Sequence, residues 1–199
     1  MADNYLERKM EEYRSGKGVT YRHRTTPTGA RPGTLNVKFP PRRVLVTGGA
    51  NGIGRAIVKA FCDAGCRVAF CDIDSKAGAA TAQATGAQFH PVDVRDAAAL
   101  ERCMDRLLEA WGDIDVIVNN VGVSAFKPLE ESSLEEWDDI MSINVRPVYI
   151  TSRKLAIHRR NMGGESHYGR IINMASTRQS MSEAGTEAYS ASKGAVDSL

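Results

Sequence analysis

The sequence predicts an α/β fold, a doubly wound parallel sheet. Three observations carry this. From Arg42 onward short apolar runs alternate with amphipathic helical stretches, a glycine-rich turn separates the first run from the first helix, and an acidic residue closes the second run. Strands alternating with helices imply parallel strands, right-handed crossovers and helices on both faces of the sheet. A glycine turn at the first strand-to-helix junction makes that sheet Rossmann-type.

The elements run in order along the chain. Residues 5–14 suggest a short helix with Leu6, Met10 and Tyr13 on one face, ended by Ser15, Gly16, Lys17 and Gly18. Residues 19–41 hold Pro27, Gly29, Pro32, Gly33, Pro40 and Pro41 with little periodicity and read as an extended arm. Residues 1–41 are therefore expected to be an N-terminal extension, and 42–199 a single domain. Within that domain, strands are expected at 43–47, 67–71, 88–92, 116–118 and 170–174. Helices are expected at 53–64, 77–84, 96–111, 133–143 and 145–160, with another beginning at 187. Leu100, Met104, Leu107 and Leu108 give the helix over 96–111 its apolar face.

A chain of 199 residues that is 42% hydrophobic and 25% charged has material for one sizeable core. Its net charge of +2 gives no global field toward nucleic acid or a membrane. The charge is uneven, with ten Lys/Arg against four Asp/Glu in residues 1–43, so the extension is basic. It reads first as a solvated arm. Tyr21, Arg22, His23 and Arg24 leave open a contact with nucleic acid or another anionic surface.

Cys62, Cys66, Cys71 and Cys103 form no CxxC pair and have no histidine at zinc-ligand spacing, so reduced thiols and no metal site are expected. No signal peptide is legible, and no apolar run nears the roughly 20 residues of a membrane span. The expected compartment is the cytoplasm.

The turn Thr47, Gly48, Gly49, Ala50, Asn51, Gly52, Ile53, Gly54 lets the backbone approach a pyrophosphate, and the next helix offers free N–H groups to it. Asp72 closes the second strand 18 residues after Gly54, where a carboxylate accepts hydrogen bonds from ribose hydroxyls and repels a 2′-phosphate. No basic residue stands at Ala50, Asn51 or Ile53, so NAD(H) is expected over NADP(H). The alternative for Asp72 is a strand-end cap on the next turn.

The spacing Gly-x-x-x-Gly-x-Gly, together with five motifs downstream of it, resembles the short-chain dehydrogenase/reductase family over residues 42–199. Asp93 and Val94 end the third strand like that family's adenine-contacting pair. Asn119, Asn120, Val121 and Gly122 resemble its Asn-Asn-Ala-Gly motif, with Val121 in place of the usual alanine. Asn144 stands where the family has a helix-bending catalytic Asn. Ser176 lies 13 residues before Tyr189, and Tyr189 with Lys193 matches its Tyr-x-x-x-Lys signature.

The resemblance implies an oxidoreductase that moves a hydride between NAD(H) and an alcohol or ketone. It implies Tyr189 as general acid/base, Ser176 as the hydrogen-bond donor to the substrate oxygen, and Lys193 as ribose ligand and partner of Tyr189. Asn144 would anchor a water beside Lys193. A phenol gives up its proton near pH 10, so exchange at neutral pH calls for cations beside the phenolate. The implied cofactor contacts are Gly48, Asn51, Gly52, Ile53, Gly54, Asp72, Asp93, Val94, Asn120, Gly122, Tyr189 and Lys193.

Ser124, Phe126, Lys127, Arg178 and Gln179 either line a substrate cleft or are ordinary loop residues. The family continues with further strands, so the sheet is expected to lack its C-terminal strands and the fifth strand to be an open edge. The full-length form is expected to be a homodimer or homotetramer. The alternative function is a nucleotide-binding or partner-binding module without turnover.

Overall fold

A computed structural model describes residues 40–163 and 168–199. The helix expected over 5–14 lies outside them, as does the arm up to residue 39. The strands are β1 (Arg43–Thr47), β2 (Arg67–Asp72), β3 (Gln88–Pro91), β4 (Val116–Asn119) and β5 (Arg170–Asn173). They form one parallel sheet in the order β3-β2-β1-β4-β5. The helices are α1 (Gly52–Asp63), α2 (Ser75–Thr85), α3 (Ala97–Trp111), α4 (Leu134–Asn144), α5 (Arg146–Asn161) and α6 (Glu187–Ser198). Two single-turn 3-10 helices, Leu129–Glu131 and Thr177–Gln179, were not legible in the sequence; three residues carry too little periodicity to show.

The central strands are buried on both faces, and the alternation of their side chains splits the core in two. Leu45, Ala69, Cys71 and Ile117 pack with Leu100, Met104 and Leu107 of α3 and with Ile150 and Leu155 of α5. Val44, Val46, Val68, Phe70, Val116 and Val118 face the other way, against Val58 of α1. Strand order reverses about β1, which has β2 on one side and β4 on the other. Ligands of such sheets bind outside the carboxyl ends of the strands at that point.

Local chemistry sets the helix ends. Asp74 and Asp96 each accept a hydrogen bond from the backbone N–H three residues on, capping α2 and α3. Ser133 and Glu136 make a reciprocal capping box at the start of α4. Pro147 stands in the first turn of α5, where its missing N–H costs nothing. The chain breaks between α4 and α5 at Val145, so Asn144 sits at a helix junction. β5 lies at the end of the sheet with Ile171 and Ile172 more than 40% exposed, and the near-continuous burial of β4 stops there.

The amino ends of the strands are tied by ions. Arg43 donates to both carboxylate oxygens of Asp115 at 2.9 Å and reaches Asp113 at 3.4 Å. Arg159 of α5 also binds Asp113, at 3.0 Å. The Arg43 hydrogen bonds hold the Asp115 carboxyl below the usual carboxylate range, against the opposing effect of burial.

A depressed folded pKa means that the stabilisation is complete above the unfolded carboxylate pKa, near 4. It is lost as pH falls through the lower folded value. Asp115→Asn is expected to cost about 1–3 kcal/mol at pH 7, between the values for exposed and buried pairs. Urea unfolding at pH 7 and pH 3 checks this: the gap between wild type and variant should shrink at pH 3.

Candidate functional site

The carboxyl ends of β1, β2, β3 and β4 open into a cleft of about 530 Å³. Its floor is the turn between β1 and α1. Gly48 and Gly52 hold φ of 70° and 53° there, in the left-handed region. A Cβ on Gly49 would meet the Phe70 ring at 2.7 Å, so the turn packs this closely on β2 only over glycine.

Asn120 fastens the turn. Its Nδ2 donates to the Thr47 carbonyl at 3.1 Å and the Gly48 carbonyl at 3.0 Å, while Thr47 Oγ1 accepts the Asn120 N–H at 3.1 Å. Val121, in place of the usual alanine, lies against Gly48: a Cβ there would meet Val121 Cγ2 at 2.9 Å.

Asp72 stands at the rim. Its Oδ2 accepts from the Ala50 N–H at 2.9 Å and its Oδ1 from the Asp74 N–H at 3.0 Å. The carboxylate thus caps both turns, the alternative its position allowed, and it lines the cleft as well. Each carboxylate oxygen has a second lone pair, so capping leaves acceptor capacity for a ligand hydroxyl.

Asn51, Ile53, Gly54, Asp93, Val94 and Gly122 also line the cleft, so the turn and the ends of β3 and β4 meet in it. Gly52 shapes the turn without lining the cleft. The lining residues that sequence reasoning missed are Ile73, Val92, Arg95, Val123 and Ile143. Ile73 and Arg95 directly succeed Asp72 and the Asp93-Val94 pair, which was the signal available for them.

A second group lies around α6. Asn144 is buried; its Oδ1 accepts from the Val123 N–H at 2.8 Å, and its Nδ2 donates to the Val123 carbonyl and to Ser192 Oγ, both at 2.9 Å. Lys193 is buried too and donates to the Met174 carbonyl at 2.6 Å. Burial pushes its ammonium below the ordinary lysine value.

Gly122 lies against both Lys193 and Asn144. A Cβ on it would lie 3.2 Å from Lys193 Nζ and 3.6 Å from Asn144 Oδ1. Tyr189, one turn before Lys193 on α6, has its ring centroid 5.8 Å from Nζ. Ser176 Oγ accepts from the Arg178 N–H at 3.2 Å, capping the turn at Thr177–Gln179. No hydrogen bond joins Ser176 to Tyr189 among the described residues. Asn144, Tyr189 and Lys193 thus converge near Gly122, whereas Ser176 is engaged by its own loop.

The loop residues left open by the sequence are mostly committed elsewhere. Arg178 bonds the Met181 carbonyl and Glu183, Gln179 bonds Asp197, and Lys127 bonds Glu136. Phe126 is 74% exposed.

The arrangement fits a dinucleotide. Glycines let backbone N–H groups face a pyrophosphate, the start of α1 supplies a positive dipole end, and a rim carboxylate and apolar walls remain for an adenosine. A family model described as short chain dehydrogenase matches residues 42–199. The chain belongs to the short-chain dehydrogenase family.

An uncharacterised oxidoreductase of Thermotoga maritima is 38% identical over 160 residues, covering 78% of this chain and 61% of that one. A sorbitol dehydrogenase of Cereibacter sphaeroides is 39% identical over 165 residues, covering 82% and 63%. A solved short-chain dehydrogenase from Streptomyces avermitilis superposes with a TM-score of 0.74 at 30% identity, covering 80% of this chain and 58% of that one. The chain therefore spans under two thirds of the length of these short-chain dehydrogenase relatives. Among the described residues no helix is long and apolar enough to cross a membrane, and no cluster of His, Cys, Asp and Glu could hold a metal ion.

Proposed function

We propose that this chain carries the cofactor-binding and catalytic part of an NAD(H)-dependent short-chain dehydrogenase that interconverts an alcohol and a ketone. The observation that carries this is the rim carboxylate of Asp72, fixed against the phosphate turn by the Ala50 N–H. Gly48, Asn51, Gly52, Ile53 and Gly54 would hold the pyrophosphate and Asp72 the adenosine ribose. Asp93, Val94, Asn120 and Gly122 would complete the cleft, with Tyr189 and Lys193 at its nicotinamide end. The nicotinamide, when bound, supplies or accepts the hydride.

The residues handle the proton. Tyr189 gives a proton to the substrate oxygen at its phenolic oxygen, or takes one from it. Lys193 places a cation beside the ring, and the Met174 carbonyl holds that cation in its buried position. Asn144 pins the backbone of Val123 and the hydroxyl of Ser192, which fixes the start of the loop after β4 against α6. Ser176 would hold the substrate oxygen through its own O–H, which accepting from the Arg178 N–H leaves free to donate. The name of the sorbitol dehydrogenase relative makes polyols the first substrates to screen.

Titration of the chain with NADH and NADPH, followed by nicotinamide fluorescence, tests this reading. NADH should bind at least about tenfold more tightly, since Asp72 accepts a ribose hydroxyl and repels a 2′-phosphate. Tighter binding of NADPH overturns the role of Asp72, and binding of neither overturns the function. Ser176 and Tyr189 share no hydrogen bond among the described residues, which favours a second reading, a nucleotide-binding module without turnover. That reading predicts saturable NADH binding with no oxidation of NADH by any ketone in the screen.

A further inference from the structure

Arg95 belongs to none of the motifs that define the site, yet its position in the cleft gives it a part in binding. The residue follows Val94 at the carboxyl end of β3 and lines the cleft with Ile73, Val92, Asp93 and Val94. Its guanidinium is held by its edges. Nε lies 3.1 and 3.0 Å from the two oxygens of Asp93, and one terminal nitrogen reaches Asp93 at 2.7 Å. The other terminal nitrogen reaches Asp139 of α4 at 3.3 Å. The Arg95 carbonyl accepts from Arg146 of α5 at 3.0 Å. These bonds secure the residue from three elements; its two carboxylate partners raise the Arg95 pKa, and Arg95 in turn lowers that of Asp93.

Guanidinium donors lie in the plane of the group. With one N–H on each of the three nitrogens engaged edge-on, the group still offers two N–H donors and its flat face. About 45% of the Arg95 side chain stays open, so a face is available. Ile73, 66% exposed, is an apolar wall of the same cleft. A flat heteroaromatic ring satisfies both surfaces, stacking on the cation and packing on the alkyl group. The edge bonds also occupy Asp93, so its carboxylate has fewer free lone pairs for a base amino group.

We infer that Arg95, clamped between Asp93 and Asp139, is the stacking surface for the purine of the cofactor and sets the affinity of the chain for it. The inference rests on the proposed dinucleotide function and deepens it. A guanidinium already held by Asp93 and Asp139 loses little side-chain freedom on binding.

Calorimetric titration of the wild-type chain, Arg95→Ala, Arg95→Lys and Arg95→Tyr with NADH and with ADP-ribose tests it. ADP-ribose lacks only the nicotinamide and keeps the purine, so both ligands should weaken by the same factor, about tenfold, in Arg95→Ala. Arg95→Lys keeps the charge between Asp93 and Asp139 but lacks the plane, and should be about as weak. Arg95→Tyr lacks the charge but restores a flat face, and should recover most of the affinity.

A purely structural role would not be rescued by tyrosine and would lower the thermal midpoint of the ligand-free variants. Arg95→Ala or Arg95→Lys binding within about twofold of wild type overturns the inference and leaves the dinucleotide function standing. So does an Arg95→Tyr variant no better than Arg95→Ala. A wild-type chain that binds neither ligand removes the function itself.

Discussion

Gly54→Ala is expected to weaken NADH binding about 10- to 100-fold and to lower the melting midpoint by several degrees. Gly54 opens the second half of the glycine turn, at the start of α1. A Cβ there would fall inside contact distance of the Gly48 carbonyl oxygen and lie 2.6 Å from Asn120 Nδ2. Neither neighbour can yield cheaply. The Gly48 carbonyl accepts from that same Nδ2 at 3.0 Å, and Asn120 is held in turn by Thr47. The methyl therefore pushes α1 and the turn apart, and overpacking of this kind costs about 1–3 kcal/mol.

Each kcal/mol lowers the midpoint of a domain this size by about 2–4 °C. The binding penalty is of similar size if the displaced N–H groups must return to hold the pyrophosphate, at tenfold per about 1.4 kcal/mol. Gly52→Ala is the control. A Cβ at Gly52 meets nothing within 4 Å, and only its φ of 53° is costly, about 1–2 kcal/mol. Differential scanning fluorimetry and NADH titration of both variants check the contrast. Equal behaviour would mean that glycine serves the turn only by its backbone freedom, with no role for close packing at Gly54.

The sheet was legible because its strands repeat one physical requirement. A parallel strand covered on both faces must be apolar throughout, as Val44, Leu45 and Val46 are, and the helices between strands show their own period. Helix starts were readable to within two residues where a short polar side chain caps them, as Asp96 and Ser133 do. The phosphate turn was legible because few residues other than glycine tolerate its geometry.

Contacts that depend on which way a side chain turns were not. Asp72 could be placed at the rim, but not its capture of the Ala50 N–H, because Ala50 lies 22 residues away in sequence. Arg95 stood in plain view beside Asp93, yet its bond to Asp139 spans 44 residues of chain. Ser176 was identified by its spacing to Tyr189, and spacing says nothing about the Arg178 N–H that its oxygen accepts.

Tyr189→Phe is expected to lower turnover about 10²- to 10⁴-fold, the usual contribution of a positioned general acid/base, and to leave the Kd for NADH within about twofold. The substitution removes one oxygen and keeps the ring, so the contact with Lys193 Nζ 5.8 Å away survives. Lys193 stays bonded to Met174, and Asn144 to Val123 and Ser192, because neither bond passes through the phenol oxygen. Binding and chemistry should therefore separate in this variant.

Lys193→Met should behave differently. It leaves the Met174 carbonyl without its donor, so it should lose stability together with turnover. Single-turnover kinetics on the polyol or ketone found by screening, beside fluorescence titration of NADH, distinguishes the two variants. If Tyr189→Phe keeps turnover within about tenfold of wild type, proton transfer runs through another group and the phenol only fills space on α6. If wild type itself binds NADH but turns over nothing, Ser176 and Tyr189, which share no hydrogen bond among the described residues, do not come together on one substrate oxygen. The site then holds the dinucleotide without completing the position where a substrate oxygen would be gripped.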